Sequence, residues 1–156
     1  MSTLPRRSDR TVTPKEALDS LARAEVGFLA LANDNEPYAV PLHFVVQGNT
    51  LYFHCAKAGR KLDMISRNPR CCVAVSFLDG IKEGEAACDY GTYYRSALAT
   101  GVARVVDDTG EKIAALNALT EKHATQEFVP AGALDAAKVV VVAIDIVELT
   151  GKARRR

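Results

Sequence analysis

Six short runs of strand-forming residues, mostly joined by tight turns, constrain this fold more than any other feature. The runs are VGFLALA (26–32), YAVPLHFVV (38–46), TLYFHC (50–55), RCCVAVSF (70–77), YRSALATGVARVV (94–106) and KVVVVAIDIVEL (138–149). Strands joined by short turns pair in antiparallel fashion, so the pattern predicts a mainly β protein: a six-stranded antiparallel barrel with flanking helices. Pro41 lies inside the second run, which indicates an edge or a bulge because proline cannot donate to a ladder.

Three segments carry helix signals. TPKEALDSLARA opens with a capping box formed by Thr13 and Glu16, and Asp108 with Glu111 gives a similar arrangement in DDTGEKIAALNALTEKH. A third, short helix begins near Gly59 and ends before an Asn-Pro pair. The rest is predicted to be irregular: a flexible arm (1–12), a surface loop (78–92), a loop with a short helical turn (125–137) and a basic tail (153–156). We expect one domain over 1–156.

Composition excludes several function classes. The 156 residues are 48% hydrophobic and 25% charged with a net charge of +1, as in an ordinary globular domain without a field that attracts nucleic acid or membranes. No apolar run reaches the roughly 18 residues of a membrane span, and the first ten residues lack a signal-peptide core. The four cysteines form no CxxC pair, so disulfides and metal ligation are poorly supported. We expect a reducing, cytoplasmic setting.

The start of the short helix carries the most informative pair of charges. Arg60 and Lys61 directly follow Gly59, so two cations lie at the helix end that already bears partial positive charge and free N–H groups. Such a placement is unfavourable unless an anion lies opposite, and together with the nearby His54 the two cations are suited to binding a phosphate. The alternative is that both are ordinary solvated cations, as most surface charges are.

The sequence does not identify a catalytic group. His43 and His54 are the polar rings nearest this site, although either could be a half-buried structural histidine, and His123 near a helix end could complement the helix dipole. No histidines show metal-ligand spacing, and we expect no metal. The chain lacks the GxSxG turn of a serine nucleophile and the GxGxxG and P-loop motifs of nucleotide-binding parallel sheets. The basic tail KARRR lacks interleaved aromatic residues and is weak support for nucleic-acid binding.

Several motifs, in order, resemble one known family. PYAVPLHF is followed by LYFHCAKAGRKLDMISRNPRCCVAV, then by Tyr94-Arg95-Ser96 with Gly101 and Ala103, and finally by Thr150-Gly151-Lys152. This series is similar to the pyridoxamine 5′-phosphate oxidase-like FMN-binding split-barrel superfamily, and within it to the nitroimidazole-resistance-related flavoproteins. The resemblance runs from about Arg6 to Lys152.

The resemblance implies a six-stranded split barrel, a homodimer and two FMN molecules at the subunit interface. It places the FMN phosphate on Arg60 and Lys61 and aligns the end of the third strand, His54 and Cys55, with a segment that helps hold the cofactor. Ser96 matches a position that reaches the flavin, from the partner subunit. The strand whose backbone runs along the flavin ring corresponds to Tyr38, Ala39, Val40, Pro41, Leu42 and His43.

Two departures from the oxidase itself limit what the resemblance implies. The oxidase has an arginine where this chain has Tyr38, and it holds its vitamin substrate with a C-terminal tryptophan and arginine, whereas this chain contains no tryptophan. We therefore do not expect pyridoxamine phosphate oxidase activity. The sequence predicts an FMN-dependent oxidoreductase that reduces a small organic acceptor such as a nitro compound or a quinone. The alternative is a non-catalytic protein that stores FMN, or that binds haem through His54 or His123.

Overall fold

The computed structural model describes residues 7–156, in which one seven-stranded antiparallel sheet curls around the main core. The strand order is β2-β1-β5-β6-β7-β4-β3. The strands are β1 (Val26–Asn33), β2 (Glu36–His43), β3 (Val45–Gln47), β4 (Thr50–Cys55), β5 (Arg70–Lys82), β6 (Gly91–Val105) and β7 (Val140–Arg154). The helices are α1 (Pro14–Arg23), α2 (Arg60–Arg67), α3 (Thr109–His123) and α4 (Ala133–Ala136), with single 3-10 turns at Ser8–Arg10 and Ala87–Asp89.

The predicted fold class is confirmed, with one more strand than expected. The segment 38–46 is not continuous: Phe44 leaves the ladder, is fully buried, and separates β2 from β3. These two strands are the opposite edges of the sheet, so hydrogen bonding does not close the barrel and the architecture is a split barrel. Pro41 lies on the edge strand β2, where a missing backbone donor is tolerated.

The helix starts agree with their predicted caps. The Thr13 hydroxyl accepts the Glu16 amide and the Glu16 carboxylate accepts the Thr13 amide, which completes the capping box of α1. The Asp108 carboxylate accepts the amide of Glu111 at 2.7 Å and begins α3. Leu21 of α1 is buried in the main core, while Leu116 of α3 packs in a second, smaller core. Within the described chain, no helix combines the length and apolar character needed to cross a membrane.

The segment predicted as a surface loop, 78–92, is strand at both ends, and only 83–90 forms the connection, with a 3-10 turn at Ala87–Asp89. β5 continues to Lys82 and β6 begins at Gly91, so the two form a long hairpin that the mixed charges of this segment concealed. β7 likewise continues through Thr150-Gly151-Lys152 to Arg154, beyond its predicted end. At the amino terminus, Thr11 bridges to Lys152; the first six residues of the predicted arm lie outside the described residues.

Gly101 sets the pairing at the centre of the sheet. The predicted break in the long strand is a register shift between Thr100 and Gly101, after which β6 continues beside β7. A Cβ atom at this position would lie 2.4 Å from the backbone oxygen of Asp145, which is far inside van der Waals contact. Glycine is therefore required for the two strands to approach this closely.

Gly101→Ala should lower the free energy of unfolding by about 1–3 kcal/mol, because the β6–β7 backbones must separate to admit the methyl group. Urea unfolding at a fixed protein concentration measures this effect. Gly132→Ala is the matched control, since a Cβ there meets nothing within 4 Å, and it should change stability by less than about 0.5 kcal/mol. Equal stability of the two variants would contradict the role given to Gly101.

Candidate functional site

The first turn of α2 differs from those of α1 and α3 because no side chain caps it. Gly59 precedes the helix with φ of 139°, a conformation that side-chain-bearing residues rarely adopt. The Gly59 carbonyl accepts the amides of Leu62 and Asp63, and no side-chain hydrogen bond satisfies the turn. The predicted helix start is thus correct, and its backbone donors are open to an external acceptor.

Arg60 is held over the edge strand β2. Its guanidinium donates to the Glu36 carboxylate at 2.7 Å and lies 4.8 Å from the centre of the Tyr38 ring. Both partners of the ion pair are largely exposed, with 52% of the Arg60 side chain and 71% of the Glu36 side chain accessible. An exposed pair of this kind is worth about 0–1 kcal/mol, so Arg60 can exchange Glu36 for a stronger anion.

Lys61 lies on the other side of the helix start, near the end of β4. Its ammonium group is 5.9 Å from the centre of the buried Phe53 ring. Burial raises the pKa of the neighbouring Cys55 thiol, and the positive charge of Lys61 only partly opposes this effect. Cys55 is therefore a neutral thiol at physiological pH and not a thiolate nucleophile.

The six predicted residues of β2 divide between the two faces of the sheet. Tyr38, Val40 and Leu42 pack against the core, whereas Ala39, Pro41 and His43 are exposed. Because β2 is an edge strand, its second side is not paired with another strand of the described chain. β2 therefore offers a ligand its backbone edge and three outward side chains.

The three histidines take different positions. His54 is exposed on β4, on the face that also carries Tyr52. The His43 ring lies 3.1 Å from the Glu25 carbonyl and 4.9 Å, centre to centre, from the ring of His123. His43 thus lies at the far end of β2 from Glu36, roughly 23 Å away for seven residues of extended chain. It belongs to a histidine pair and is remote from the first turn of α2.

Ser96 is not brought to this site within one chain. It lies on β6, which is separated from β2 by β1 and β5, and its hydroxyl is 3.4 Å from the Lys152 carbonyl. The structure thus brings together Tyr38, Cys55, Arg60 and Lys61. Ser96 lies elsewhere, on β6. Sequence reasoning missed Glu36, because a lone glutamate after a turn gives no sign that it pairs with an arginine in a later helix.

Two concave surfaces flank these residues. A cavity of about 210 Å³ lies against α2 and is lined by Asn33, Glu36, Arg60, Asp63, Met64 and Arg67. A larger groove of about 480 Å³ runs over the outward face of β1, β5, β6 and β7, beside Ala30, Cys72, Thr100 and Val102. None of the predicted binding residues lines this groove. A single chain therefore presents the helix start as an open surface, suited to binding an anion and not to enclosing a whole cofactor.

Comparison with known proteins places this geometry in a family. Residues 13–153 match the sequence model of the pyridoxamine 5′-phosphate oxidase family. No protein in the curated set matches significantly. Solved structures do: a protein of Bacteroides thetaiotaomicron assigned to 5-nitroimidazole antibiotic resistance is 25% identical with a TM-score of 0.79, the alignment covering 91% of this chain and 85% of that one.

Two further structures have the same fold. The FAD- and haem-binding protein of Mycobacterium smegmatis is 25% identical with a TM-score of 0.83, over 94% of this chain and 74% of that one. The flavocytochrome Anf3 of Azotobacter vinelandii is 21% identical with a TM-score of 0.86, over 98% of this chain and 73% of that one. With the family match spanning nearly all the described residues, the chain belongs to the pyridoxamine 5′-phosphate oxidase-like split-barrel superfamily.

Proposed function

We propose that this protein binds FMN and serves as an oxidoreductase that reduces a small organic acceptor such as a nitro compound or a quinone. The observation that carries the proposal is the uncapped, glycine-initiated start of α2 with Arg60 and Lys61 beside it. Family membership and the similarity to a FAD- and haem-binding protein and to a FAD-binding protein of Mesorhizobium loti, 28% identical, support a flavin as the ligand.

The phosphate would lie against the first turn of α2. There the backbone N–H groups and the positive end of the helix dipole favour an anion. Lys61 supplies a point charge, and Arg60 supplies a planar donor that exchanges the Glu36 carboxylate for phosphate oxygens. Asp63, in the same turn, offsets part of the positive charge of Arg60 and Lys61.

The rest of the flavin would lie along the edge of β2. The free backbone groups of an edge strand suit the polar edge of an isoalloxazine ring, and Ala39 and Pro41 give a small, flat apolar surface beside it. When bound, the flavin supplies the hydride and electron transfer. Since Cys55 is a neutral thiol, the role that we propose for the chain is to bind and orient the flavin.

Arg60→Ala and Lys61→Ala should each weaken FMN binding about ten- to a hundredfold, because each removes a charge-assisted hydrogen bond worth about 1.5–3 kcal/mol. Riboflavin binding should change little, since riboflavin lacks the phosphate. Fluorescence titration of the apoprotein with FMN, FAD and riboflavin measures the three affinities. Glu36→Gln frees Arg60 and should strengthen FMN binding by up to about 1 kcal/mol.

Arg23→Ala is the matched control for these variants. Arg23 is an exposed arginine in the last turn of α1, away from the cavity beside α2, so its loss should change FMN affinity by less than about 0.5 kcal/mol. Equal losses of FMN and riboflavin in the Arg60 and Lys61 variants would show that the helix start only supports the fold. In that case the phosphate site would be wrong.

We also propose that the functional unit is a homodimer with a flavin at each end of the interface. The outward face of β2, β1, β5 and β6 carries a continuous apolar row of directly paired residues: Pro41, Phe28, Ala74 and Leu98. Phe28 is 54% exposed and Leu98 is 46% exposed in the single chain. Contiguous exposed apolar surface is a feature of protein–protein interfaces, and a second copy of the chain would cover this row.

Phe28→Glu should convert the dimer into a monomer and weaken FMN binding, because it places a charge at the centre of the covered row. Sedimentation velocity at micromolar concentration, combined with FMN titration, measures both effects. Val129→Glu is the control: Val129 is 91% exposed in a loop outside the sheet, and its variant should remain dimeric. A wild-type monomer that binds FMN at full strength would contradict the interface site.

In such a dimer Ser96 would reach the flavin of the other subunit. Its hydroxyl faces outward on β6, in the same direction as the exposed Leu98. Ser96→Leu should therefore weaken FMN binding while the protein stays folded and dimeric, as checked by titration and sedimentation on one preparation. Unchanged FMN affinity would remove Ser96 from the site.

The oxidoreductase step is tested separately from binding. The similarity to a protein assigned to 5-nitroimidazole resistance makes a nitroaromatic compound the first acceptor to assay, with NADH or NADPH as reductant. Release of FMN on denaturation without turnover would favour FMN storage. A haem absorption band would favour the alternative suggested by the FAD- and haem-binding protein, with the exposed His54 as the candidate axial ligand.

All four cysteines are free, in keeping with the cytoplasmic location that we propose.

A further inference from the structure

We propose that His43 and His123 form an open binding site for a divalent late transition-metal ion such as Cu²⁺, at the corner between the end of β2 and the C-terminal end of α3. The two residues are 80 positions apart in sequence, and the burial of Phe44 brings their rings together. This site is separate from the proposed flavin site and does not depend on it.

Each imidazole ring has one nitrogen that is not hydrogen-bonded and can bind a metal ion. His43 Nδ1 lies 3.1 Å from the Glu25 carbonyl oxygen, and because a carbonyl can only accept, Nδ1 carries the proton and Nε2 keeps its lone pair. His123 Nε2 is buried and has no hydrogen-bond partner among the described residues. An unpartnered buried nitrogen is costly, so a ligand that binds His123 Nε2 would offset this cost.

The spacing of the rings suits a shared ion. With a metal–nitrogen bond of about 2.1 Å, two imidazoles bound side by side at one ion have ring centres roughly 4.5–5.2 Å apart. The observed separation is 4.9 Å, with the ring planes inclined at 74°. His43 is exposed, so its ring can adjust around an ion without disturbing the core. The Glu25 carbonyl then holds the second nitrogen of His43, as is usual for metal-bound histidine.

The surrounding charges allow a cation and limit its affinity. Lys122 and His43 oppose positive charge at His123, while the Phe44 backbone carbonyl and Glu25 favour it. The Lys122 ammonium donates to the carbonyls of Ala24 at 2.7 Å and Phe44 at 2.8 Å, which hold it in place.

The donor set also indicates the class of ion. Neutral imidazoles suit copper, nickel and zinc, and Cu²⁺ binds most tightly among the divalent ions of the series. No group of three or more histidine, cysteine or acidic side chains suited to a metal occurs within residues 7–156. Water or a small anion must therefore complete the coordination, which leaves the ion open to exogenous ligands.

The chain has three histidines, so His54 is a built-in control. Calorimetric titration of the protein, purified without a histidine tag, should show one Cu²⁺ bound per chain at this site. His43→Gln and His123→Gln should each weaken that binding about tenfold or more, whereas His54→Gln should leave it within about twofold. Electron paramagnetic resonance of the Cu²⁺ complex should show splitting from two imidazole nitrogens in the wild type and from one in either pair variant.

Thermal unfolding of each variant without metal separates loss of the site from loss of the fold. His43 is exposed, so His43→Gln should fold normally. It therefore tests the metal site even if His123→Gln fails to fold. The proposal is overturned if wild-type protein shows no two-nitrogen Cu²⁺ signal. It is equally overturned if His54→Gln reduces binding as much as His43→Gln, since the ion would then bind surface histidines without preference.

Discussion

The structure depends on the pairing of β6 with β5 on one side and β7 on the other. β6 pairs with β5 from Val102 opposite Arg70 to Gly91 opposite Lys82, and with β7 along nearly the same length. Two glycines make this possible. Gly101 lets β6 approach the Asp145 carbonyl, and Gly151 leaves room for Val12 and Ala17 at the start of α1, where a Cβ atom would come within 2.7–2.9 Å. The three long strands form the rigid centre that fixes where the shorter strands lie.

The candidate site is assembled at the margins of that centre. β2 and β3 are edges because Phe44 turns inward and ends the first ladder before the second begins. After β4, α2 brings Arg60 to β2, where it contacts Glu36 and Tyr38. A helix start and an unpaired strand edge both leave backbone groups unsatisfied. The opening in the barrel therefore gathers groups that can bind a ligand in one place.

Local chemistry made much of this fold predictable. The capping box at Thr13, the side-chain N-cap at Asp108 and the glycine before Arg60 each act within a few residues, and all three helix starts are where the sequence indicates. The paired cations of α2 could also be recognised because their position conflicts with the helix dipole unless an anion is present. Because these signals lie within short stretches of sequence, both the fold class and the phosphate-site hypothesis could be formed before the structure was known.

What the sequence did not reveal depends on contacts between distant residues. The segment 78–92 contains charged residues and glycines that hide a strand signal. Its two ends become strand because they pair with each other across the hairpin. The Arg60–Glu36 pair and the His43–His123 pair join residues 24 and 80 positions apart, and neither residue of a pair identifies the other. Propensity is a weak guide where tertiary pairing decides the structure.

The proposed dimer would account for both the apolar outward row and the open helix start of the single chain. A monomer would expose Phe28 and Leu98 to water and would hold a flavin only by its phosphate and one edge. A second copy placed over the row would cover the apolar surface and would contact the flavin from its other side. Dimer formation would therefore both stabilise the fold and complete the binding site. Since binding that requires the dimer favours the dimer by mass action, FMN affinity should fall on dilution below the dimer dissociation constant, and FMN should raise the apparent stability of the dimer.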